Sequence, residues 1–150
     1  MPPNKRVKLA VLLPSPLVTL FIAIAWSPSS PTADSPCLAY EPDTVSITGV
    51  LTRKTFPGPP NYESVKQGDA PETGFYLVPG SAICMVASSD SDSNNIAMDG
   101  VRLVQLVLDE AGYARLRPKL GQQVTLQGTL FAEFTGYHHA PLLLRVTGGP

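Results

Sequence analysis

The stretch that decides the fold is residues 101–130, which read VRLVQLVLDEAGYARLRPKLGQQVTLQGTL. Its first eight residues are almost all apolar, which predicts a strand covered on both sides. Asp109 then provides an N-cap for a short helix around residues 110–116. The apolar positions that recur at helical spacing are Tyr113, Leu116 and Leu120. Residues 124–130 alternate between apolar and polar side chains, which predicts a strand with one buried face.

Further strand patterns lie on both sides of this stretch, at residues 45–51, 75–78, 82–86 and 142–146. Gly49 interrupts the first of them with a shift of phase, which indicates a bulge or a sharp bend. Short strands, a bend glycine in the first and one helix before the fourth or fifth predict an all-β fold. We expect a small OB-like barrel with one short α-helix. A two-sheet β-sandwich is the alternative.

The amino-acid composition excludes a disordered chain and argues against one class of binding partner. With 150 residues, 15% charged and 43% hydrophobic, the chain is long enough for one domain and too apolar to be disordered. Three of its eleven basic residues precede residue 10, and the other eight face twelve acids, a net charge of −4. A protein that binds the phosphate backbone needs a clustered excess of Lys and Arg. We therefore expect no nucleic-acid partner.

The first residues have the pattern of a secretory signal peptide. A positive region is followed by an apolar run over residues 9–25, which ends in the small-x-small sequence Ala23-Ile24-Ala25. This predicts a signal peptide over residues 1–25 with cleavage before Trp26. A run of about 17 residues is at the lower limit for spanning a bilayer, so an uncleaved anchor is the alternative. A membrane is a partner only in that case.

Cleavage would leave a Ser/Pro-rich linker over residues 26–36 and a single domain over residues 37–150. Both cysteines, Cys37 and Cys84, lie in that domain. An even pair in an oxidising compartment predicts a disulfide, and no Cys-x-x-Cys spacing supports a redox or zinc-ribbon site. The expected location is periplasmic or secreted.

Several motifs resemble those of an uncharacterised bacterial family of small secreted domains. They are Cys37-Leu38-Ala39-Tyr40-Glu41-Pro42, the run KTFPGPPNYES at residues 54–64, Gly68-Asp69, Pro71-Glu72-Thr73, Val107-Leu108-Asp109, Gly128-Thr129-Leu130-Phe131 and TGYHHAP at residues 135–141. The resemblance covers residues 37–147. It implies an envelope location and a barrel-like fold, without an assigned chemistry. Members of the family often carry a third His where this chain has Tyr137, which weakens any three-histidine site here.

The two histidines of the chain, His138 and His139, are adjacent. Imidazoles are the commonest metal ligands, and Glu133 is the nearest acid that would complete a zinc or copper site. Adjacent residues of a strand point to opposite faces, so both histidines bind one ion only from a loop. The alternative is a polar hairpin tip with local hydrogen bonds and no cofactor.

Residues 56–64 form a second candidate site, because their three prolines pre-set the backbone. Such a loop can present Phe56 and Tyr62 to a ligand at small entropic cost. Arg53 lies beside it, and Tyr137 belongs to the loop at residues 135–141. The alternative is a stiff connection that packs on the barrel.

Catalytic motifs are missing from the sequence: it has no Gly-x-Ser-x-Gly elbow, no His-Glu-x-x-His, no P-loop and no dinucleotide-binding glycine pattern. We assign no catalytic residue. The expected function is a non-catalytic binding or accessory module of the envelope, which recognises a protein or a small ligand through residues 56–64 and 135–141. The alternative is a metal-binding protein or a small hydrolase that uses His138, His139 and Glu133.

Overall fold

The computed structural model describes residues 36–90 and 94–150, so the signal peptide predicted over residues 1–25 and nearly all of the predicted linker lie outside it. Its strands are β1 (Thr44–Pro57), β2 (Pro71–Pro79), β3 (Ile83–Met85), β4 (Met98–Val101), β5 (Val104–Val107), β6 (Gln123–Ala132) and β7 (Leu142–Gly148). Between β5 and β6 lies α1 (Glu110–Leu116), and 3-10 turns occur at Val65–Gln67 and Arg117–Lys119. No helix in this part of the chain is long and apolar enough to cross a membrane.

Five strands form a barrel-like ring. They pair in the order β1-β2-β5-β7-β6, and β6 pairs again with β1, so each strand has two neighbours. Every pair is antiparallel except β5 with β7. A ring in this order has one parallel pair, and its helix lies between β5 and β6, the third and fourth ring strands along the chain. This is the arrangement of an OB-like barrel. The prediction of a mainly β, OB-like fold with one short α-helix is confirmed.

The predicted helix begins and ends as expected, because its cap is the residue that the sequence indicated. The Asp109 carboxylate accepts a hydrogen bond from the backbone N–H of Gly112 at 2.7 Å, which satisfies one of the free N–H groups of the first turn. Leu116 is fully buried in the core. Other core residues with no exposed surface are Leu51, Leu77, Val104, Leu126, Leu130, Leu142 and Leu144.

β1 lacks the bulge that is one of the two structures predicted at Gly49. The register of β1 is continuous with both β2 and β6, and Ile47, Gly49 and Leu51 are all buried, so neither a bulge nor a phase shift occurs. Gly49 is instead a point of close approach: a Cβ at this position would lie 2.6 Å from the carbonyl oxygen of Val78. It is also the point where β1 passes from pairing with β6 to pairing with β2.

The single strand predicted at the start of residues 101–130 is also wrong in its bounds. The apolar run contains the last residue of β4 and all of β5, separated at residues 102–103. Val101 pairs with Ile83 in a separate two-stranded sheet of β3 and β4, whereas Val104 pairs with Leu77 in the ring. The apolar pattern does not reveal that the chain passes from one sheet to the other within this run, because both parts of the run are buried.

The predicted disulfide between Cys37 and Cys84 is present, with the two Cα atoms 4.6 Å apart. It closes a loop of 47 residues. The neighbouring Leu38 forms a parallel bridge with Met85, so the beginning of the domain is attached to β3 by both a covalent bond and backbone hydrogen bonds.

Candidate functional site on the β2–β5 face

The outer face of β2 and β5 lies beside the two loops that the sequence singled out. Tyr76 of β2 is opposite Gln105 of β5, and both are outside the core cluster to which their neighbours Leu77 and Val104 belong. The loop between β1 and β2 leads directly into β2, and the loop between β6 and β7 is hydrogen-bonded to Gln105 of β5. In OB-like barrels this strand face and these two loops form the usual ligand site.

A depression of about 180 Å³ lies on this face, and we call it the β2–β5 depression. It is lined by Glu72, Thr73, Gly74, Tyr76, Gln105, Tyr113, Tyr137 and His139. Tyr76 is 1% exposed, and burial raises its pKa to about 12, with Tyr113 and Glu72 as further causes. Its hydroxyl therefore stays protonated over the physiological range of pH.

His139 joins the two loops at one end of the depression. Its Nε2 lies 2.7 Å from Oε2 of Glu72, and both side chains are largely buried. The imidazole ring stacks on Phe56, with centroids 4.9 Å apart and an angle of 8° between the planes. A residue from each of the two predicted loops thus takes part in one contact, which also holds the Glu72 carboxylate.

Gln105 fixes the backbone of the loop between β6 and β7. Its Oε1 accepts a hydrogen bond from the backbone N–H of His139 at 2.6 Å. Its Nε2 donates to the carbonyl oxygen of Tyr137 at 3.1 Å. Because one side chain uses both its acceptor and its donor on the same loop, β5 sets the position of Tyr137 and His139 relative to the sheet.

Two exposed tyrosines meet where the loops approach each other. Tyr62 and Tyr137 pack edge to face, with centroids 6.4 Å apart, and are 39% and 59% exposed. Tyr62 has a left-handed backbone, with φ of 60°, and its ring lies against Gly136, where a Cβ would come within 2.9 Å of Cζ. Desolvation raises the pKa of Tyr62, and the charges of Tyr137 and Glu72 raise it further.

The loop between β1 and β2 is held by a buried carboxylate. Asp69 is 4% exposed, and it accepts hydrogen bonds from the backbone N–H groups of Asn61, Glu63 and Ser64 at 2.8 to 2.9 Å. These hydrogen bonds, those to Ser64 and Asn61 foremost, lower the pKa of Asp69. The loop that carries Tyr62 is therefore ordered by its own residues.

His138 lies in a different environment from His139. Its Nδ1 accepts a hydrogen bond from the backbone N–H of Phe134 at 3.1 Å, and its ring contacts Phe134 and Phe131. Burial lowers the pKa of His138, and the neighbouring His139 lowers it further, against the opposing effect of Glu133. Within the described residues, the ligand atoms of Glu133, His138 and His139 do not all lie within 4.8 Å of one another. The zinc or copper site stays a prediction.

The structure brings together three of the four residues proposed for ligand binding. Phe56, Tyr62 and Tyr137 all lie at the depression or in contact with residues that line it. Arg53 is exposed and outside the lining, and strand alternation places it on the opposite face of β1 from Phe56.

Sequence reasoning missed Glu72, Tyr76, Gln105 and Tyr113 as site residues. Glu72 faces Phe56 across the β1–β2 pair. Although Glu72 belongs to the motif Pro71-Glu72-Thr73, its place at the depression becomes visible only when the strand register is known.

Comparison with known proteins gives a family without an assigned function. Residues 103–148 match the family described as "Domain of unknown function (DUF4431)". No curated protein and no solved structure matches the chain. The resemblance to a family of unknown function is thus confirmed over this part of the chain. The matched residues contain Gln105, Tyr113, Tyr137 and His139, whereas Glu72 and Tyr76 lie before them.

Proposed function

We propose that this chain is a non-catalytic binding or accessory module of the cell envelope, which recognises a protein or a small ligand at the β2–β5 depression. The observation that carries the proposal is the convergence of the two predicted loops on this face. Phe56 stacks on His139, and Tyr62 packs against Tyr137, so both loops contribute aromatic rings to one surface. OB-like barrels bind their ligands at the equivalent place.

The order of the loops supports binding. Asp69 holds the first loop through three backbone N–H groups, and Gln105 holds the second through two hydrogen bonds. A site that is ordered before the ligand arrives loses less conformational entropy on binding. Tyrosines such as Tyr62 and Tyr137 supply large contact area with few rotatable bonds and a polar tip.

An envelope location, periplasmic or secreted, is part of the proposal. The disulfide between Cys37 and Cys84 supports it, because such bonds persist in oxidising compartments and are rare in the cytosol. The signal-peptide pattern of residues 1–25 would provide the route.

The proposal is tested by capture of partners from an envelope extract with the full chain and with two loop variants. Tyr137→Ala removes a ring that lines the depression. Phe134→Ala is the matched control, because Phe134 is an aromatic residue of the same loop, 63% exposed and outside the lining. We expect Tyr137→Ala to lower capture by about tenfold or more, the usual cost of truncating an aromatic anchor, and Phe134→Ala to retain it. Equal capture by both variants would contradict the proposal.

A second candidate function is a hydrolase in which His139 acts as a general base. The contact of 2.7 Å between His139 and Glu72 favours it, because a carboxylate at one ring nitrogen orients the imidazole and leaves the other nitrogen to accept a proton. Turnover of chromogenic esters or phosphodiesters that is lost in His139→Asn and kept in His138→Asn would support this candidate over the binding module.

A further inference from the structure

The side chains that line the β2–β5 depression include an acid but neither of the strong bases. Glu72 is the carboxylate among the eight residues that line it, and none of the eight is Lys or Arg. Lys54 is the nearest base in the strand register, opposite Gly74, and it forms no ion pair within the described residues. An acid in a lining that holds neither Lys nor Arg favours a ligand of positive charge over one of negative charge.

Aromatic rings make up much of the remaining lining. Tyr76, Tyr113 and Tyr137 come from three different elements, namely β2, α1 and the loop between β6 and β7. Because Tyr76 is 1% exposed, Tyr113 and Tyr137 are the lining tyrosines that a ligand can contact, and the face of an aromatic ring carries partial negative charge that attracts a cation. An anionic ligand would be repelled both by these faces and by Glu72.

The size of the depression limits the ligand to a small head group. Its volume of about 180 Å³ is smaller than that of the pockets that usually hold a drug-sized molecule. Tyr137 and Tyr62 are exposed at its border, where the rest of a larger ligand would extend.

We infer that the β2–β5 depression binds an ammonium group, carried by a small organic cation or by the Lys side chain of a partner protein. Glu72 supplies the opposite charge, and the tyrosine rings supply the faces against which the methylene or methyl groups of the cation pack. This inference rests on the proposed binding function and specifies its ligand.

The test compares a cation with its neutral isostere. Choline and 3,3-dimethyl-1-butanol have the same shape and differ in the charge on one atom. Nα-acetyl-lysine methylamide keeps its side-chain ammonium group and represents a Lys side chain of a partner protein. Each is titrated into the full chain while NMR signals of the tyrosine rings are followed. We expect saturable shifts with choline or the lysine amide and at least about tenfold weaker binding of the neutral alcohol. The relative affinities of choline and the lysine amide distinguish the two sources.

Three variants locate the site. Glu72→Gln removes the charge at constant shape, and Tyr137→Leu removes one ring without a change to Glu72. Glu63→Gln is the control, because Glu63 is an exposed acid of the neighbouring loop outside the lining. We expect the first two to weaken binding of the cation several-fold and the control to leave it unchanged. A thermal melt of each variant checks that it is folded, and Tyr137→Leu keeps the test decisive if Glu72→Gln does not fold.

The outcomes separate this inference from the proposed function. Equal binding of choline and its isostere, or no saturable binding of either cation, would overturn the inference. If capture from the extract still depends on Tyr137 in that case, the binding module stands with a ligand of another class. If neither capture nor cation binding depends on Tyr137, the inference of an ammonium ligand and the proposed binding function both fail.

Discussion

At the scale of single residues, Asp69 holds the loop that carries Tyr62 through its side chain. Its carboxylate accepts hydrogen bonds from three backbone N–H groups, and these lower its pKa from the ordinary value of 3.8. The folded state therefore favours the ionised form. The stability that this provides is complete above about pH 4, and it is lost as the pH falls through the lowered pKa.

We predict that Asp69→Asn lowers the melting temperature at neutral pH, because an amide accepts fewer and weaker hydrogen bonds from backbone N–H groups than a carboxylate. The difference from the unaltered chain should shrink as the pH falls below about 4, where Asp69 itself becomes protonated. Thermal melts from pH 2 to pH 7 measure this. Glu63→Gln, an exposed acid of the same loop, is the control. A difference that stays constant with pH would contradict the role of ionised Asp69.

His138 gives a second pH dependence of stability, which arises because folding favours the neutral form of this side chain. Burial lowers its pKa below the ordinary 6.5, so folding favours the neutral ring that accepts a hydrogen bond from Phe134. The unfolded chain binds a proton more readily, and stability rises with pH through the window between the lowered pKa and 6.5. His138→Asn keeps an acceptor near the position of Nδ1 and removes the charge. We predict that denaturant melts of this variant between pH 5 and pH 8 show a smaller rise in stability than the unaltered chain. Parallel curves would refute the prediction.

The site residues that can be predicted from the sequence lie in distinctive loops, whereas the others depend on contacts with residues far away in the chain. Phe56, Tyr62 and Tyr137 stand out because proline-rich or histidine-rich loops surround them. Glu72 and Gln105 act through partners 67 and 34 residues away, at His139. Such contacts depend on the strand register, which the hydrophobic pattern constrains without specifying.

At the scale of elements, Gly49 is a position where β1 closely approaches β2. A Cβ there would lie 2.6 Å and 2.8 Å from backbone atoms of Val78, which cannot move aside as a side chain does. We predict that Gly49→Ala destabilises the fold by about 1–3 kcal/mol, the usual cost of overpacking. Gly80→Ala is the matched control, because nothing lies within 4 Å of the added atom. Chemical denaturation measures both, and equal stability of the two variants would refute the close approach.

The elements show which patterns can be read from sequence alone. The sequence predicts the bounds of α1 because an Asp cap and apolar spacing are local signals, and the structure has both. The apolar run at the start of residues 101–130 predicts one strand, whereas in the structure the run is divided between two sheets. Burial depends on neighbours that are distant in the chain, so periodicity identifies strands more readily than it assigns their partners.

At the scale of the whole molecule, the disulfide attaches the beginning of the domain to β3. On the chain-entropy account, closing a loop of 47 residues contributes about 4 kcal/mol to the free energy of unfolding. We predict that the double variant Cys37→Ser with Cys84→Ser loses stability of this order while its circular dichroism spectrum stays β-rich. Denaturation of the unaltered chain under reducing conditions should give the same loss. Unchanged stability in both experiments would contradict the prediction.

The seam between β2 and β5 has a consequence for motion of the ring. Two residue pairs join these strands, Tyr76 with Gln105 and Leu77 with Val104, whereas nine join β1 with β2. Local opening starts where the fewest hydrogen bonds must break together, so amide protons of β5 that face β2 should exchange with solvent faster than those of β1. A molecule held over Tyr76 and Gln105 would bridge the seam and slow that exchange. Hydrogen–deuterium exchange would then report occupancy of the depression even for a ligand that has no known activity to assay.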